Sequence, residues 1–288
     1  MIGPYELNTV VAGDCLDVMA QMPENSVDMI ITSPPYYNAR EYSHWDTYEA
    51  YVADLNRWMQ ACFRVLKPGR RMAWNVDDLL KSAEKFHNCT PSIDSVIAAK
   101  SSGFSVKTVV IWDDPMNAEG WRPGTGHNGP GVVINYSIEY VWVFQKPRGE
   151  TNHHWKHDPI PKELEKYNWM DNDFLAKFAR KQVWTIPSER QPDHPAPFPE
   201  ALVEPCIRMW SLPGWLVFDP FMGSGTTAIS AMKWKRDFFG CDQLPQYVRL
   251  AQARIRQRSM ELLTNQMFLP EPVPSNRRRL RQSALLKA

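Results

Sequence analysis

The sequence has few cysteines and no long apolar run. It contains five cysteines in 288 residues, and no two of them form a Cys-x-x-Cys pair, so neither a disulfide framework nor a zinc site is indicated. No apolar stretch approaches about 18 residues and no signal peptide opens the chain, so we expect a cytoplasmic protein without a membrane span. A Gly-Lys-Ser/Thr tripeptide is also absent, which excludes a P-loop.

An excess of charge of either sign is missing as well. The chain has 33 basic and 32 acidic residues, and this balance does not identify a partner, because a neutral total can hide a basic face. The length favours one large domain with an insertion. His153 and His157 stand at i, i+4 spacing, but no cysteine or carboxylate at ligand spacing completes a familiar metal site, so no metal is predicted.

The stretch Asp219–Thr227 organises the rest of the chain. The apolar run Trp215–Phe218 precedes it and predicts a buried strand, and the alanine-rich residues that follow predict a helix. A strand, a tight Gly-Ser-Gly turn and a helix place backbone N–H groups and the positive end of a helix dipole at the carboxyl edge of a sheet. Open α/β sheets bind ligands at that edge. Asp219 at the strand end adds an acceptor for a ligand ammonium group.

A second acidic residue indicates what this turn binds. Asp242 ends the next predicted strand, roughly 20 residues after the glycines, where a carboxylate meets ribose hydroxyls in nucleotide-binding βαβ units. No third glycine follows Gly225 at the required distance, so the dinucleotide fingerprint is incomplete and an oxidoreductase is disfavoured. The unit therefore predicts a cofactor that contains adenosine.

A stiff turn, Ser33-Pro34-Pro35-Tyr36, follows the predicted buried strand at residues 26–32. The prolines end the strand because they remove backbone donors and force an extended conformation. The Ser33 hydroxyl and the Pro34 carbonyl can both accept from an amino group, and Tyr36 offers a ring face to a planar base. Such a turn beside the cofactor suits alkylation of an exocyclic amine on a flipped nucleobase.

These stretches resemble the bacterial and phage DNA amino-methyltransferases that use S-adenosylmethionine. Thr32–Tyr36 is similar to the catalytic motif of that family and Asp219–Thr226 to its cofactor motif, while Gly13–Asp17 and His194–Pro199 match segments placed at the adenine and the methionine part. The catalytic motif comes first, as in the β class. The resemblance implies an α/β Rossmann-like methyltransferase fold that is circularly permuted, with a mostly parallel sheet containing an antiparallel strand and an inserted target-recognition region.

The resemblance also implies site residues. The catalytic residues are Ser33, Pro34, Pro35 and Tyr36. The cofactor-binding residues are Asp14, Cys15, Thr32, Phe198, Asp219, Pro220, Phe221, Gly223, Ser224, Gly225, Thr226, Thr227 and Asp242. Cys206 follows a proline, as the nucleophile of carbon-5 cytosine methylation does, but it lies in a predicted helix and is expected in the core.

The chain divides into four predicted regions. They are a catalytic half (1–145), a target-recognition insertion (146–182), a cofactor-binding half (183–265) and a basic tail (266–288). In the insertion, basic residues alternate with aromatics, which is typical of nucleic-acid contact, and the long loop 116–132 predicts a flap near the target base. The predicted DNA-binding residues are Arg40, Trp121, Arg122, Lys146, Arg148, Lys156, Lys162, Lys166, Arg180 and Lys181.

The predicted function is site-specific methylation of duplex DNA with base flipping. Relatives with Ser-Pro-Pro-Tyr more often methylate the 4-amino group of cytosine, and the 6-amino group of adenine is the alternative. A methyltransferase-like DNA-binding protein without activity is a further alternative, although both motifs are intact. β-class relatives often form dimers, so a homodimer is expected. Whether a cognate restriction endonuclease accompanies the enzyme in a restriction-modification system is a question that the sequence leaves open.

Overall fold

Strands and helices alternate along most of the chain. A computed structural model describes residues 1–38, 44–78, 89–118, 138–149, 158–189 and 199–268. The strands are β1 (Thr9–Ala12), β2 (Val27–Thr32), β3 (Leu66–Val76), β4 (Ser105–Asp113), β5 (Ile138–Gln145), β6 (Val183–Thr185), β7 (Leu216–Asp219) and β8 (Asp237–Asp242). The helices are α1 (Cys15–Gln21), α2 (Tyr48–Val65), α3 (Pro91–Ser101), α4 (Pro115–Ala118), α5 (Asn172–Phe174), α6 (Glu200–Trp210), α7 (Thr226–Lys233) and α8 (Pro245–Phe268). A 3₁₀-helix (Lys162–Asn168) precedes α5 and a π-helical turn (Leu175–Ala179) follows it.

The described strands form one sheet in the order β1-β8-β7-β2-β3-β5-β4-β6. Strand β5 runs antiparallel to both of its neighbours, and the remaining pairs are parallel. The late strands β7 and β8 lie between the early strands β1 and β2. This order confirms the predicted α/β fold, its mostly parallel sheet with one antiparallel strand, and its circular permutation.

Helices cover both faces of the sheet because side chains of successive strand residues point to opposite faces. Ile30 of β2 packs in one core with Tyr51 and Leu55 of α2. Its neighbours Met29 and Ile31 pack in a second core with buried side chains of α6, α7 and α8. The β2 strand is therefore buried on both faces, which explains its nearly continuous apolar sequence.

The predicted catalytic and cofactor-binding halves contribute strands to one sheet. Strand β1 belongs to the predicted catalytic half (1–145), yet it pairs with β8 of the predicted cofactor half (183–265), with Thr9 opposite Phe239. The permuted chain can place both motifs on neighbouring strands only if the two regions share one sheet. Helix α8 continues to Phe268, three residues into the predicted basic tail, and residues 269–288 lie outside the described part of the chain.

The first part of the described insertion packs along the amino edge of the sheet, and the chain then runs to β6, where Val183 lies opposite Ile111 in the second half of β4. Arg70 at the start of β3 pairs with Asp158 and lies 3.8 Å from the centroid of the Trp215 ring, just before β7. At the start of β8, Arg236 donates to the Tyr167 carbonyl at 3.1 Å. The candidate site lies at the other edge. Among the described residues, no helix combines the length and apolar character needed to cross a bilayer.

Candidate active site

The two sequence motifs meet at one edge of the sheet. Strands β2 and β7 are parallel neighbours, with Met29 opposite Val217 and Ile30 opposite Phe218. Thr32 and Asp219, which end these strands, therefore lie at the same carboxyl edge. The catalytic turn after β2 and the glycine turn after β7 both begin there, as the sequence predicts.

A buried carboxylate joins the two turns. Thr32 Oγ1 donates to Asp219 Oδ1 at 2.6 Å, and Thr227 Oγ1 donates to Asp219 Oδ2 at 2.6 Å. The Phe221 amide adds a third hydrogen bond to Oδ1 at 3.0 Å. Asp219 thus holds the end of β2 and the start of α7 against its own strand.

This role differs from the one that the sequence suggests for Asp219. Its side chain is only 3% exposed and both oxygens accept from hydroxyl groups, so the carboxylate is not presented to a ligand ammonium group. Burial raises the pKa of Asp219 to about 6, although the bonds from Thr227 and Thr32 oppose that shift. We therefore interpret Asp219 as a residue that positions the two turns.

The glycine turn is shaped by positive backbone torsions. Gly223 has φ +52° and Gly225 has φ +87°, a region that residues with a Cβ rarely adopt. A Cβ at Gly225 would also lie 3.0 Å from the Ala251 Cβ of α8. Gly225 therefore permits both the turn and the close approach of α8, and α7 begins at the next residue.

The polar side chains of this turn face α8. Arg254 Nη1 donates to the Ser224 carbonyl at 2.7 Å, to Ser224 Oγ at 2.8 Å and to Thr226 Oγ1 at 3.4 Å. Ser224 and Thr226 are both buried. The turn can therefore offer its backbone to a ligand, whereas the hydroxyls of Ser224 and Thr226 brace it from behind.

Two partly exposed carboxylates lie at the ends of the neighbouring strands β1 and β8, on the same carboxyl edge of the sheet, which we call the rim. Asp242, the last residue of β8, accepts from the Gly223 amide at 2.9 Å and from the Leu244 amide at 2.9 Å, and burial raises its pKa. Asp14, after β1, accepts from the Leu16 amide at 2.8 Å as the N-cap of α1. The Gly13 amide donates to the Asp242 carbonyl at 3.0 Å, which brings the two acids together.

Three other predicted cofactor residues lie around these acids. Cys15 is buried in the core on the α1 and α2 side, and burial raises the pKa of its thiol. Its side chain therefore packs in the interior. The Pro220 carbonyl accepts from the Cys241 thiol at 3.4 Å, and the Phe221 ring meets the Trp58 ring edge to face at 5.0 Å.

A polar cluster surrounds the catalytic turn. Ser33 Oγ donates to Tyr36 Oη at 3.0 Å, and Tyr36 Oη donates to Glu139 Oε2 at 2.7 Å. Asn75 Nδ2 donates to Tyr36 Oη at 2.9 Å and to Glu139 Oε2 at 2.6 Å. Burial and, after it, the charge of Glu139 raise the pKa of Tyr36 well above its usual value, so the phenol stays protonated. The sequence motifs did not identify Asn75 or Glu139, whose only signal is a polar residue within an apolar strand.

Aromatic packing fixes the chain after this turn. Pro34 is buried, while Pro35 and Tyr36 are partly exposed. The Tyr37 ring lies 5.1 Å from the Tyr48 ring and 5.6 Å from the Tyr51 ring, both on α2. These contacts hold the turn against α2 and leave Ser33 and Tyr36 at the rim.

Four of the predicted DNA-binding residues lie at the amino edge, away from this rim. Lys146 follows β5 at the amino edge of the sheet, where its Nζ donates to Asn25 Oδ1 at 2.7 Å and its amide to the Arg70 carbonyl at 3.0 Å. Arg148 packs there against Gly69. Lys162 and Lys166 lie on the 3₁₀-helix at the same edge, where the neighbouring Tyr167 carbonyl accepts from Arg236. Arg180 and Lys181 instead precede β6, whose first residue Val183 lies opposite Ile111 in the second half of β4. The position of the lysines at the amino edge gives no support to the prediction that they contact DNA.

Several predicted residues lie outside the described part of the chain. They are Arg40, Trp121, Arg122, Lys156, Phe198 and the histidines at 153 and 157. In the described ranges, no group of three or more histidine, cysteine or acidic side chains could hold a metal ion.

Comparison with known proteins agrees with this site. The N6/N4 methyltransferase family model, described as DNA methylase, matches residues 27–253. The Type II methyltransferase M.BglI of Bacillus subtilis is 25% identical over 316 residues, covering 86% of this chain and 85% of that protein. The orphan methyltransferase M.BamHII of Bacillus amyloliquefaciens is 28% identical, and the match covers 80% of this chain and 89% of that protein. The Type II beta methyltransferase M.BslI of Bacillus sp. strain NEB-606 is 27% identical over 85% of this chain, which spans 27% of that protein.

Solved structures share the fold. TTHA0409 of Thermus thermophilus, a candidate DNA modification methylase in complex with S-adenosyl-L-methionine, has a TM-score of 0.70 and 30% identity over 87% of this chain and 93% of its own. The cytosine-N4-specific PvuII DNA methyltransferase has a TM-score of 0.62 at 21% identity, over 88% of this chain and 92% of its own. The second likeness concerns the fold alone.

The rim fits S-adenosylmethionine. This cofactor carries ribose hydroxyls and two cationic groups, and the partly exposed carboxylates of Asp14 and Asp242 can accept from such donors beside the backbone of the glycine turn. The family model covers well over half of the chain, including both motifs. The chain therefore belongs to the N6/N4 family of S-adenosylmethionine-dependent DNA methyltransferases.

Proposed function

We propose that the protein methylates the 4-amino group of cytosine in duplex DNA after extruding the base. One observation carries this proposal: the catalytic turn Ser33–Tyr36 and the glycine turn at Gly223 begin on adjacent strands and are joined through Thr32 and Asp219. A donor bound at one turn and an acceptor bound at the other would therefore meet at one rim.

The cofactor site consists of the glycine turn and the two rim acids. Asp14 and Asp242 would bind hydroxyl or cationic groups of S-adenosylmethionine, and the backbone at Gly223 would line its other side. When bound, the cofactor supplies a methyl group on a sulfonium, which is already a reactive donor. The protein then has mainly to position the two reactants, and positioning alone can lower a barrier by several kcal/mol.

The acceptor site consists of the catalytic turn. Ser33 Oγ points its own proton at Tyr36 Oη, and Asn75 Nδ2 donates to Ser33 Oγ at 3.5 Å, so one lone pair of Ser33 is available to a substrate N–H. The Pro34 carbonyl is a second acceptor at the same turn. Together they would orient an exocyclic amine, and the partly exposed Tyr36 ring would stack on the base. The amino group of a base that is stacked and paired inside a duplex is not free to bind these acceptors, which is why base extrusion belongs to the proposal.

The choice of cytosine rests on the serine of the catalytic turn. Relatives with Ser-Pro-Pro-Tyr more often act on the 4-amino group of cytosine, whereas those with aspartate or asparagine in place of the serine more often act on adenine. Chemically, a hydroxyl can serve either amine. Adenine is therefore the alternative product that an experiment must distinguish.

Mass spectrometry of nucleosides tests this choice directly. Duplex DNA from a methylation-free host is incubated with the pure protein and S-adenosylmethionine and then digested to nucleosides. We expect N4-methylcytosine as the product, and N6-methyladenine as the sole product would overturn the cytosine assignment.

A homodimer and an accompanying nuclease stay predictions, and light scattering of the pure chain tests the first of them.

A further inference from the structure

Glu139 ends a hydrogen-bonded chain that begins at Ser33. The links are Ser33 Oγ to Tyr36 Oη at 3.0 Å and Tyr36 Oη to Glu139 Oε2 at 2.7 Å. Glu139 lies on the antiparallel strand β5, and 103 residues separate it from Tyr36 in the sequence. This series of hydrogen bonds therefore connects the catalytic turn to a carboxylate on a different strand of the sheet.

The direction of each hydrogen bond in this chain follows from its last member. An ionised carboxylate can only accept, so the Tyr36 hydroxyl must donate to Glu139. The Tyr36 oxygen then accepts from Ser33. The Ser33 oxygen has two lone pairs, of which the Asn75 amide, 3.5 Å away, can occupy one, and the other can accept from a substrate. Each group is thus already oriented to receive one proton from the substrate side and to pass its own proton toward Glu139.

Asn75 keeps the carboxylate in place. Its Nδ2 donates to Glu139 Oε2 at 2.6 Å and to Tyr36 Oη at 2.9 Å, and the residue is 1% exposed. In this orientation Asn75 Oδ1 is buried without a hydrogen-bond partner in the described part of the chain. Leaving a buried acceptor unpaired destabilises the fold, and the contact with Glu139 must offset that loss. The Asn75 amide therefore holds Glu139 beside Tyr36 through these two hydrogen bonds.

We propose that Glu139 is the final acceptor of the proton that the methylated amine loses, an inference that rests on the proposed function. In the step, a nitrogen–carbon bond forms, the methyl–sulfur bond breaks, and the sulfonium becomes a thioether with the electron pair of that bond. The amine proton passes to Ser33 Oγ, the Ser33 proton to Tyr36 Oη, and the Tyr36 proton to Glu139 Oε2. Glu139 ends the step as a neutral carboxylic acid and both hydroxyls are restored.

The variant Glu139→Gln tests this role because its amide oxygen can still accept from Tyr36 but the amide cannot take up a proton. We expect the single-turnover rate of methyl transfer to duplex DNA to fall roughly 100-fold, the lower range for general acid–base catalysis. Glu163→Gln makes the same chemical change on the exposed 3₁₀-helix at the amino edge and should retain the wild-type rate.

Binding measurements separate proton transfer from a loss of structure. Calorimetry with S-adenosylmethionine and anisotropy with labelled duplex DNA should give dissociation constants for Glu139→Gln within about twofold of wild type, because the proposal assigns the residue no contact with either ligand. A large loss in both affinities together with the rate would show that Glu139 only maintains the fold. A rate within about twofold of wild type would also overturn the proposal.

A double variant tests whether the three groups act as one unit. Tyr36→Phe removes the hydroxyl that links Ser33 to Glu139 through hydrogen bonds. Adding Glu139→Gln to this variant should therefore lower the methyl-transfer rate little further than the slower single variant does. Rate losses that multiply would contradict a shared pathway. If the wild-type protein itself transfers no methyl group to DNA, the proposed function fails, whereas an active wild type with an equally active Glu139→Gln variant refutes only the role of Glu139.

Discussion

The hydroxyl of Thr32 donates a 2.6 Å hydrogen bond to Asp219, a residue 187 positions later in the chain. This buried contact joins the ends of β2 and β7, from which the catalytic turn and the glycine turn begin. The relative position of acceptor and donor sites at the rim therefore depends on one carboxylate. The first two predictions follow from it.

Removing the Thr32 hydroxyl should destabilise the protein. Thr32→Val keeps the shape of the side chain but leaves Asp219 Oδ1 with the Phe221 amide as its remaining partner. Hydrogen bonds to charged groups contribute about 1.5–3 kcal/mol, so we expect a loss of that size in the free energy of unfolding by urea titration. Thr108→Val, at an exposed position on β4, should change it by less than about 0.5 kcal/mol. Equal stabilities of the two variants would contradict the role of this contact.

The raised pKa of Asp219 predicts a pH dependence of stability. The folded-state pKa is about 6 against an ordinary value of 3.8, so the folded protein binds the proton more tightly than the unfolded chain does. This contribution is present below about pH 4 and is lost as the pH rises through about 6, by up to about 2–3 kcal/mol. Asp219→Asn has no such proton. The stability of wild type relative to Asp219→Asn should therefore fall between pH 4 and 6, whereas a constant or rising difference would show that the Asp219 pKa is not raised.

Alanine at Gly225 should be more costly than alanine at another glycine with a positive φ. Gly149 has φ +62° and open space within 4 Å of the point where a Cβ would lie, whereas a Cβ at Gly225 would lie 3.0 Å from Ala251. Both substitutions incur the cost of about 1–2 kcal/mol for a left-handed backbone. Only Gly225→Ala must also displace α8. Thermal unfolding should therefore show the larger loss for Gly225→Ala, and equal losses would mean that α8 adapts freely.

The lysines at the amino edge should not contribute to DNA affinity. Lys162 and Lys166 lie on the 3₁₀-helix, on the opposite side of the sheet from the candidate site. Each lost phosphate contact lowers the salt dependence of binding by about one unit of slope. We expect Lys162→Ala with Lys166→Ala to leave the slope unchanged in anisotropy titrations at several salt concentrations. A slope reduced by about two would restore these residues to the DNA interface.

The sequence alone predicts which strands carry the site. Ser33 and Gly223 each follow an apolar run that ends in a turn, and parallel strands end at one edge, so their proximity needs no structure. Partners distant in the sequence are a different matter. The apolar pattern of β5 predicts a strand but does not show that Glu139 faces Tyr36, and the motif that marks Asp219 does not show that Thr32 and Thr227 occupy both of its oxygens.

Composition predicts less here than strand order does. The alternation of lysines and aromatics between residues 146 and 182 predicts a nucleic-acid surface, yet one of these aromatics, Phe174, packs against an arginine at the amino edge. Arg208 lies 3.9 Å from the centroids of the Phe174 and Trp234 rings. Cation–π packing inside a protein and stacking on nucleic acid use the same residue types, so composition cannot distinguish them.

The most direct test of the account compares two serines at opposite ends of β2. Ser33 begins the catalytic turn, whereas Ser26 precedes the strand and donates to the Pro23 carbonyl at 2.7 Å. In single-turnover transfer of labelled methyl from S-adenosylmethionine to duplex DNA, Ser33→Ala should be slower than wild type by roughly 100-fold and Ser26→Ala should match wild type. Equal incorporation by both variants would contradict a methyl-transfer site at the junction of the two turns.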